Sequence, residues 1–199
     1  FPGVSENSMS RDEASAVAGI FWSLSPVVVI TSASDEAVNG QVAVTAVTSS
    51  IVHSVPRLLV GIWKGNYTHS FITRSGAFAI HLLRTDQLDI VRNFGFYTGR
   101  ERDKFREVEY RTGVTGSPVL LDAHSYAECR VINAMDGGDI TAFLASVVDG
   151  QVLSGGDWMT LNHFYALAPE EWIDEYGEKL SRSVANSMGI IPVSYTHLT

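Results

Sequence analysis

Cysteine is almost absent here: Cys129 is the only one in 199 residues, so no internal disulfide can form and packing must hold the fold. It lies in an apolar, extended stretch at 126–132, where a cysteine serves as a small core hydrophobe. Basic residues are scarce too. Twenty-two acids stand against 14 lysines and arginines, a formal net charge of −8, with one loose basic group at Arg100, Arg102, Lys104 and Arg106. Such a balance repels phosphate backbones, so no nucleic-acid partner is expected. Long apolar runs are missing as well. The run at 27–30 has the length of a strand, and no membrane association is expected. Nothing at the start resembles a secretory signal, and a cytoplasmic protein is expected; the chain opens at Phe1 and not at Met, and is read as beginning downstream of the natural start.

Several chemistries are excluded by missing motifs. No G-x-G-x-x-G follows a strand, no G-x-x-x-x-G-K-[ST] occurs, and no G-x-S-x-G elbow is present. His53, His69, His81, His124 and His163 are dispersed, without an i, i+4 pair or zinc-ligand spacing, so they read as structural or surface groups and no metal is expected. Residues 193–199 resemble the translation of a transposase mosaic-end adapter. The natural sequence is therefore expected to end near Pro192, with 1–192 forming one domain. At this length one domain with a sizeable core is the expectation, and 45% hydrophobic with 18% charged residues suits it.

What is present reads as short strands with inserted helices. Ser10-Arg-Asp-Glu13 is a capping box ahead of Ala14, Val17, Phe21 and Leu24 at helical spacing, with Pro26 as the stop. A buried strand is predicted over 27–31, then a tight hairpin turn at Asn39-Gly40 and an extended stretch over 41–51. Pro56 precedes a strand over 58–63, and a short helix over 67–74 ends at Gly76, placed for a left-handed cap. A strand over 77–83 shows Phe78, Ile80 and Leu82 on one face, and Asp86 is placed to cap a helix carrying Leu88, Val91 and Phe94. Two further strands, 125–134 and 140–148, flank Asp136-Gly-Gly-Asp139. Finally, Pro169 starts a helix on which Trp172, Tyr176 and Leu180 form an apolar stripe, destined for a dimer contact or for its own protomer. Turns and not regular crossover helices separate the strands, which predicts an antiparallel barrel.

Polar chemistry concentrates in two segments. Between positions 45 and 50 stand four hydroxyls, Thr45, Thr48, Ser49 and Ser50, and Trp63-Lys-Gly-Asn-Tyr-Thr68 follows the next strand. Lys64 offers a point charge, Thr68 and helix N–H groups can hold a phosphate, and Trp63 offers a ring face. On these residues alone, a solvent-facing strand and a capped helix account for the pattern better than a ligand site does.

The ordered set Asn39-Gly-Gln41, Thr45, Ser49-Ser-Ile51, Pro56-Arg-Leu-Leu-Val60, Lys64, Asn66-Tyr-Thr-His69 and Ser75-Gly-Ala-Phe78 resembles the flavin reductase-like, FMN-binding split-barrel family. The likeness continues through Phe94-Gly-Phe96, Gly99-Arg100, Asp103-Lys-Phe105, Gly116-Ser-Pro118, Glu128-Cys-Arg-Val131 and Gly138-Asp139, and covers roughly residues 27–153. It implies a mainly β chain with added helices, a six-stranded antiparallel Greek-key split barrel, and a homodimer with FMN at the subunit interface. By the same resemblance, Thr45, Ala46, Val47, Thr48, Ser49 and Ser50 lie along the flavin ring and ribityl chain. Lys64, Asn66 and Thr68 reach the phosphate, Trp63 adds its ring, and Arg100 and Lys104 belong to the cofactor or nucleotide side. The implied activity is an NAD(P)H:flavin oxidoreductase, with NADH or NADPH as co-substrate passing a hydride to FMN, and with a monooxygenase or other electron acceptor as partner. The cofactor carries that chemistry, so no catalytic side chain is expected.

One departure stands out. Where many family members read Gly-Asp-His-Thr, this chain has Gly138-Asp-Ile-Thr141, and Ile140 can neither hydrogen-bond nor take a proton. That keeps an alternative open, an FMN-binding electron-transfer flavoprotein without direct NAD(P)H turnover. A pyridoxal-phosphate-related oxidase fits the motif set less well, and a flavin-free structural barrel is the remaining reading. Glu128 is read as a structural group within its strand.

Overall fold

The computed structural model describes Ser10, Asp12, Glu13, Ala16, Val17, Ile20 and residues 25–35 and 37–190. In chain order the strands are β1 (Val28–Ser34), β2 (Ala37–Ala43), β3 (Ala46–Thr48), β4 (Arg57–Trp63), β5 (Ala77–Leu82), β6 (Tyr110–Thr112), β7 (Pro118–Leu120), β8 (Ser125–Asp136) and β9 (Ile140–Val152). The helices that matter below are α1 (Tyr67–Ser75), α2 (Leu88–Phe96), α3 (Leu161–Leu167) and α4 (Glu170–Ser187). Seven strands form one antiparallel sheet in the order β2-β1-β5-β8-β9-β4-β3, and β6 and β7 make a separate pair. The expected mainly β, antiparallel architecture with added helices stands, but the main sheet has seven strands where six were expected.

Both faces of β1 are buried, which explains its unbroken apolar sequence. Val28 and Ile30 turn inward onto Val60, Ile62, Ile72, Phe78, Cys129 and Phe143. Val27 and Val29 turn the other way onto Leu83, Val91, Phe94, Phe96 and Phe164. Trp172 and Tyr176 pack against that second cluster, with Phe96 5.7 Å from Tyr176 and 6.3 Å from Trp172. The α4 stripe is thus used within its own protomer. Cys129 is fully buried, and burial pushes its thiol up to about 12. Glu128 is buried too. Its Oε2 accepts the Thr115 N–H and hydroxyl, each at 2.9 Å, which holds the turn between β6 and β7.

Most predicted elements appear within a few residues of their predicted ends. The capping box is formed: Ser10 N–H and Oγ donate to Glu13 Oε2 at 2.8 Å. Ala14, Phe21, Leu24 and the adapter-like 193–199 lie outside the described residues. The hairpin turn was placed wrongly. Asn39 and Gly40 sit inside β2, opposite Ser32 and Thr31, and the chain reverses near Asp35, whose φ is 52°. Gly40 is needed for contact and not for a turn, because a Cβ there would stand 2.7 Å from the Phe94 ring. Asp86 also does not cap α2. Gln87 holds the cap position, and Asp86 pairs with Arg84 at 3.0 Å. Among the described residues, no helix is long and apolar enough to cross a membrane.

His81 pins three strands together. Its Nδ1 lies 3.0 Å from the Val29 carbonyl, and its Nε2 accepts the Leu120 N–H at 3.1 Å. Nε2 accepts, so the proton must sit on Nδ1 and the ring is neutral. Burial pushes its pKa down from 6.5 to about 4. Between those values the unfolded chain binds the extra proton and the native state does not. Stability is therefore complete above pH 6.5 and falls as the pH drops toward 4, by about 3 kcal/mol from this group. Denaturant titrations across that range should show the fall. His81→Leu should abolish this component and cost roughly 2–4 kcal/mol at pH 7, since it strands buried backbone groups.

Candidate cofactor-binding site

The site is built where β4 ends. A seven-residue pairing with β9 carries β4 to Trp63, opposite Ile140, so the chain leaves the sheet beside the turn 137–139. Lys64 N–H donates to the Asp139 carbonyl at 2.9 Å, and Asn66 N–H to the Trp63 carbonyl at 3.0 Å, forming a tight corner into α1. Asn66 occupies the N-cap of α1 but makes no side-chain capping bond, and the first turn holds no acid. The positive end of that helix dipole is left without a side-chain counter-group. Arg100 arrives from the loop after α2: its guanidinium stacks on Tyr67 at 4.6 Å, and Nη1 reaches the Gly65 carbonyl at 3.5 Å. Lys64 stands on the other side, with its ammonium on Asp136 at 2.6 Å. Arg100 and a bare helix N-terminus thus meet at Gly65–Asn66, next in sequence to Lys64, whose ammonium is held by Asp136, an arrangement suited to an anion.

Other polar groups hold this corner in place. Thr68 is buried, and its hydroxyl accepts the Asn39 amide at 3.2 Å. The Asn39 amide in turn fills the space beside Gly99, where any Cβ would overlap it, so α1 is tied to β2 and to the Arg100 loop. His69 Nε2 lies 2.8 Å from Thr141 Oγ1 and ties α1 to β9. Burial lowers the His69 pKa, the Lys64 charge lowers it further, and Asp136 partly opposes them, so the imidazole is neutral at pH 7. The Trp63 ring lies over Gly65, which leaves no room for a Cβ, and its Nε1 donates to Ser187 Oγ at the end of α4 at 2.8 Å.

The hydroxyl-rich strand runs away from this corner along β4. Thr45 sits beside Gly61, whose N–H donates to the Thr45 carbonyl at 3.0 Å, and the Thr45 methyl covers the face that a Cβ on Gly61 would fill. Ala46, Val47 and Thr48 pair with Val60, Leu59 and Leu58 as an outermost strand of the sheet, so one side of their backbone has no neighbouring strand. Thr45, Val47, Thr48 and Ser49 are exposed and Ser50 partly so, while the Ala46 methyl packs against the core. At about 3.3 Å per residue these six positions span roughly 17 Å, a length suited to a ring with a polar tail.

Lys104 lies apart from this corner. Its ammonium is buried and donates inward to the carbonyls of Gly40 (2.9 Å) and Phe94 (3.0 Å), which staples the loop to β2 and to the C-terminal turn of α2. Burial, and next the neighbouring Lys179, push its pKa down to about 7. A lysine so engaged clamps the loop to the fold. A cleft of about 770 Å³ does open between α2 and the following loop, lined by Arg92, Asn93, Tyr97, Arg102 and Arg106 among others, but Lys104 is its only wall residue from the expected set.

A family model described as flavin reductase like domain matches residues 23–167. The chain belongs to the flavin reductase-like family. A high molecular weight rubredoxin of Moorella thermoacetica is 35% identical over 139 residues, which cover 69% of this chain and 60% of that protein. A ferric-chelate reductase (NAD(P)H) of Archaeoglobus fulgidus is 33% identical over 142 residues, covering 70% of this chain and 82% of the other. Among solved structures, the FMN-binding protein from Thermus thermophilus with bound p-hydroxybenzaldehyde superposes with a TM-score of 0.60 at 26% identity, over 64% of this chain and 71% of its own.

The residues present are chemically compatible with a flavin: the Lys64 and Arg100 cations and the helix N–H groups are donors that a phosphate would need, and the exposed strand offers hydroxyls that a polar-tailed ring would need. Asp136, Gly138 and Tyr67 also belong to the corner and were not singled out from the sequence as site residues. The Asp136-Gly-Gly-Asp139 turn was visible as a turn. Its placement against Lys64 follows only from the β4–β9 register.

Proposed function

We propose that this chain is an NAD(P)H-dependent flavin oxidoreductase that binds FMN, with the phosphate at the Lys64–Arg100 corner and the ring along residues 45–50. The observation that carries this reading is the convergence of two cations on an uncapped helix N-terminus at one end of an exposed, hydroxyl-rich strand. Family membership and the printed activities of the relatives support it. Bound FMN would supply the redox chemistry, taking a hydride from NADH or NADPH and yielding electrons to an acceptor. The protein's part is to bind and orient. Lys64, Arg100 and the first N–H groups of α1 would neutralise the phosphate, while the hydroxyls of Thr45, Thr48, Ser49 and Ser50 would hydrogen-bond the polar tail and ring edge. A monooxygenase or another electron acceptor is the partner proposed.

Ile140 favours a second reading. It stands opposite Trp63 at the start of β9, and its side chain can supply neither a proton nor a hydrogen bond to a nicotinamide. On that reading the chain holds FMN and exchanges electrons with a protein partner. Absorbance under anaerobic conditions separates the two. Addition of NADH or NADPH to FMN-loaded protein should bleach the flavin band; a band that stays oxidised with both would leave the electron carrier.

The corner itself makes a sharper prediction. A charged hydrogen bond to phosphate contributes about 1.5–3 kcal/mol, so Lys64→Ala should weaken FMN binding roughly tenfold or somewhat more while leaving riboflavin unaffected. Thr68→Val should cost less, and it acts by loosening the Asn39 contact. Equal losses for FMN and riboflavin in the Lys64 variant would remove the phosphate assignment.

We also propose a homodimer. Its support is the apolar exposure around the flavin strand, where Val47 is 56%, Ile51 97% and Val55 50% exposed. Light scattering of FMN-loaded protein at micromolar concentration should report a dimer, and a monomer with FMN bound would exclude a shared site.

A further inference from the structure

The Asp136 carboxylate occupies a place made for an anion. Its Oδ1 accepts two donors at once, the Lys64 ammonium at 2.6 Å and the Gly138 N–H at 2.8 Å. Gly138 has a φ of 89°, a backbone conformation that side chains avoid, and this aims its N–H at that oxygen. Lys64 is meanwhile anchored by its own N–H to Asp139, so its ammonium is presented from a fixed backbone. Asp136 is different: its side chain is 72% exposed, and it can swing into solvent without disturbing the core. One exposed carboxylate thus sits on donors that a phosphate oxygen would use.

We propose that Asp136 is a built-in competitor for the phosphate subsite, occupying the Lys64 and Gly138 donors when no phosphorylated ligand is present and lowering the affinity for one that arrives. This rests on the phosphate reading given above and deepens it. The competition makes the flavin exchangeable. A phosphate must displace Asp136 from Lys64 on binding, and the same carboxylate recaptures Lys64 as the ligand leaves. Lys64 and Gly138 provide the grip, and Asp136 sets how firmly it closes. Riboflavin has no phosphate and is indifferent to the exchange.

Binding measurements test this without turnover. Dissociation constants and off-rates for FMN and riboflavin are compared in the wild type, Asp136→Asn, Lys64→Ala and the double variant. Asp136→Asn should bind FMN roughly threefold to tenfold more tightly, mainly through a slower off-rate, and bind riboflavin as the wild type does. In the Lys64→Ala background the gain should vanish. Asp136→Ala, which removes the acceptor altogether, should tighten FMN in the same direction, and unchanged riboflavin affinity reports that each variant is folded. If Lys64→Ala selectively weakens FMN while neither Asp136 variant tightens it, the competitor role is overturned and the phosphate reading stands. If Lys64→Ala leaves the ratio of FMN to riboflavin affinity unchanged, the phosphate reading fails and takes this inference with it.

Discussion

The pairing of β4 with β9 runs from Arg57 opposite Ser146 to Trp63 opposite Ile140, and the candidate site depends on that register. Side chains alternate faces along both strands, so a slip of one residue would turn Val60 and Ile62 out of the core and Leu59 and Gly61 into it. Burial prevents the slip, since Val60 and Ile62 are fully enclosed with Phe143 and Ala145 beside them. Once this register is set, the end of β4 meets the β8–β9 turn, and Lys64 finds both the Asp139 carbonyl and the Asp136 carboxylate. Core packing on the inner face therefore fixes a charged corner at the strand's end.

Helix α1 is the second half of that corner, and three different contacts fix its position. Phe71 and Ile72 bury its apolar face. Thr68 bonds to Asn39 on β2, and His69 to Thr141 on β9, so the first turn is tied to two separate strands of the sheet. A helix N-terminus attracts anions only where nothing else satisfies it, and here neither a capping side chain nor a first-turn acid does so. The chain as a whole carries −8, and at this corner two cations, Lys64 and Arg100, stand beside the helix N-terminus, with Asp136 paired to the first of them. Local charge, and not the net balance, then decides what binds at short range, because screening confines distant charges to within about 10 Å at ordinary ionic strength.

Much of this was legible in the sequence, and the reasons differ by element. The 77–83 strand with its Phe78–Ile80–Leu82 face, the 67–74 helix ending at Gly76 and the α4 stripe were readable because alternation, helical spacing and a left-handed cap are local signals. Asn39-Gly40 misled because the same dipeptide that favours a turn also suits a strand that a phenyl ring must approach closely, and that ring comes from Phe94, far away in sequence. Of the expected site residues, Lys64, Asn66 and Arg100 come together at one corner. The strand 45–50 lies beside β4 as an exposed ribbon. Lys104 does not join them, and Asp136 and Gly138 were not singled out because their role exists only once two strands are in register. The apolar stripe of α4 illustrates the same limit: its spacing announced a helix but could not say which surface Trp172 and Tyr176 would cover.

The three lysines nearest these elements show why residue type alone does not mark a ligand contact. Lys179 and Lys104 both end on carbonyls of the last turn of α2, at Gly95 and Phe94, where backbone acceptors lack helical partners and the dipole is negative. Their bonds are made to permanent features of the fold, so neither ammonium can turn to a ligand without leaving buried carbonyls unpaired. Lys64 ends on a carboxylate that is itself exposed and rotatable. Its partner can leave for water at little cost, since an exposed ion pair contributes at most about 1 kcal/mol. Exchange of partners is thus open to Lys64 and closed to Lys104 and Lys179, and this difference, set by what each ammonium touches, makes Lys64 the lysine suited to the anion proposed at the Gly65 corner.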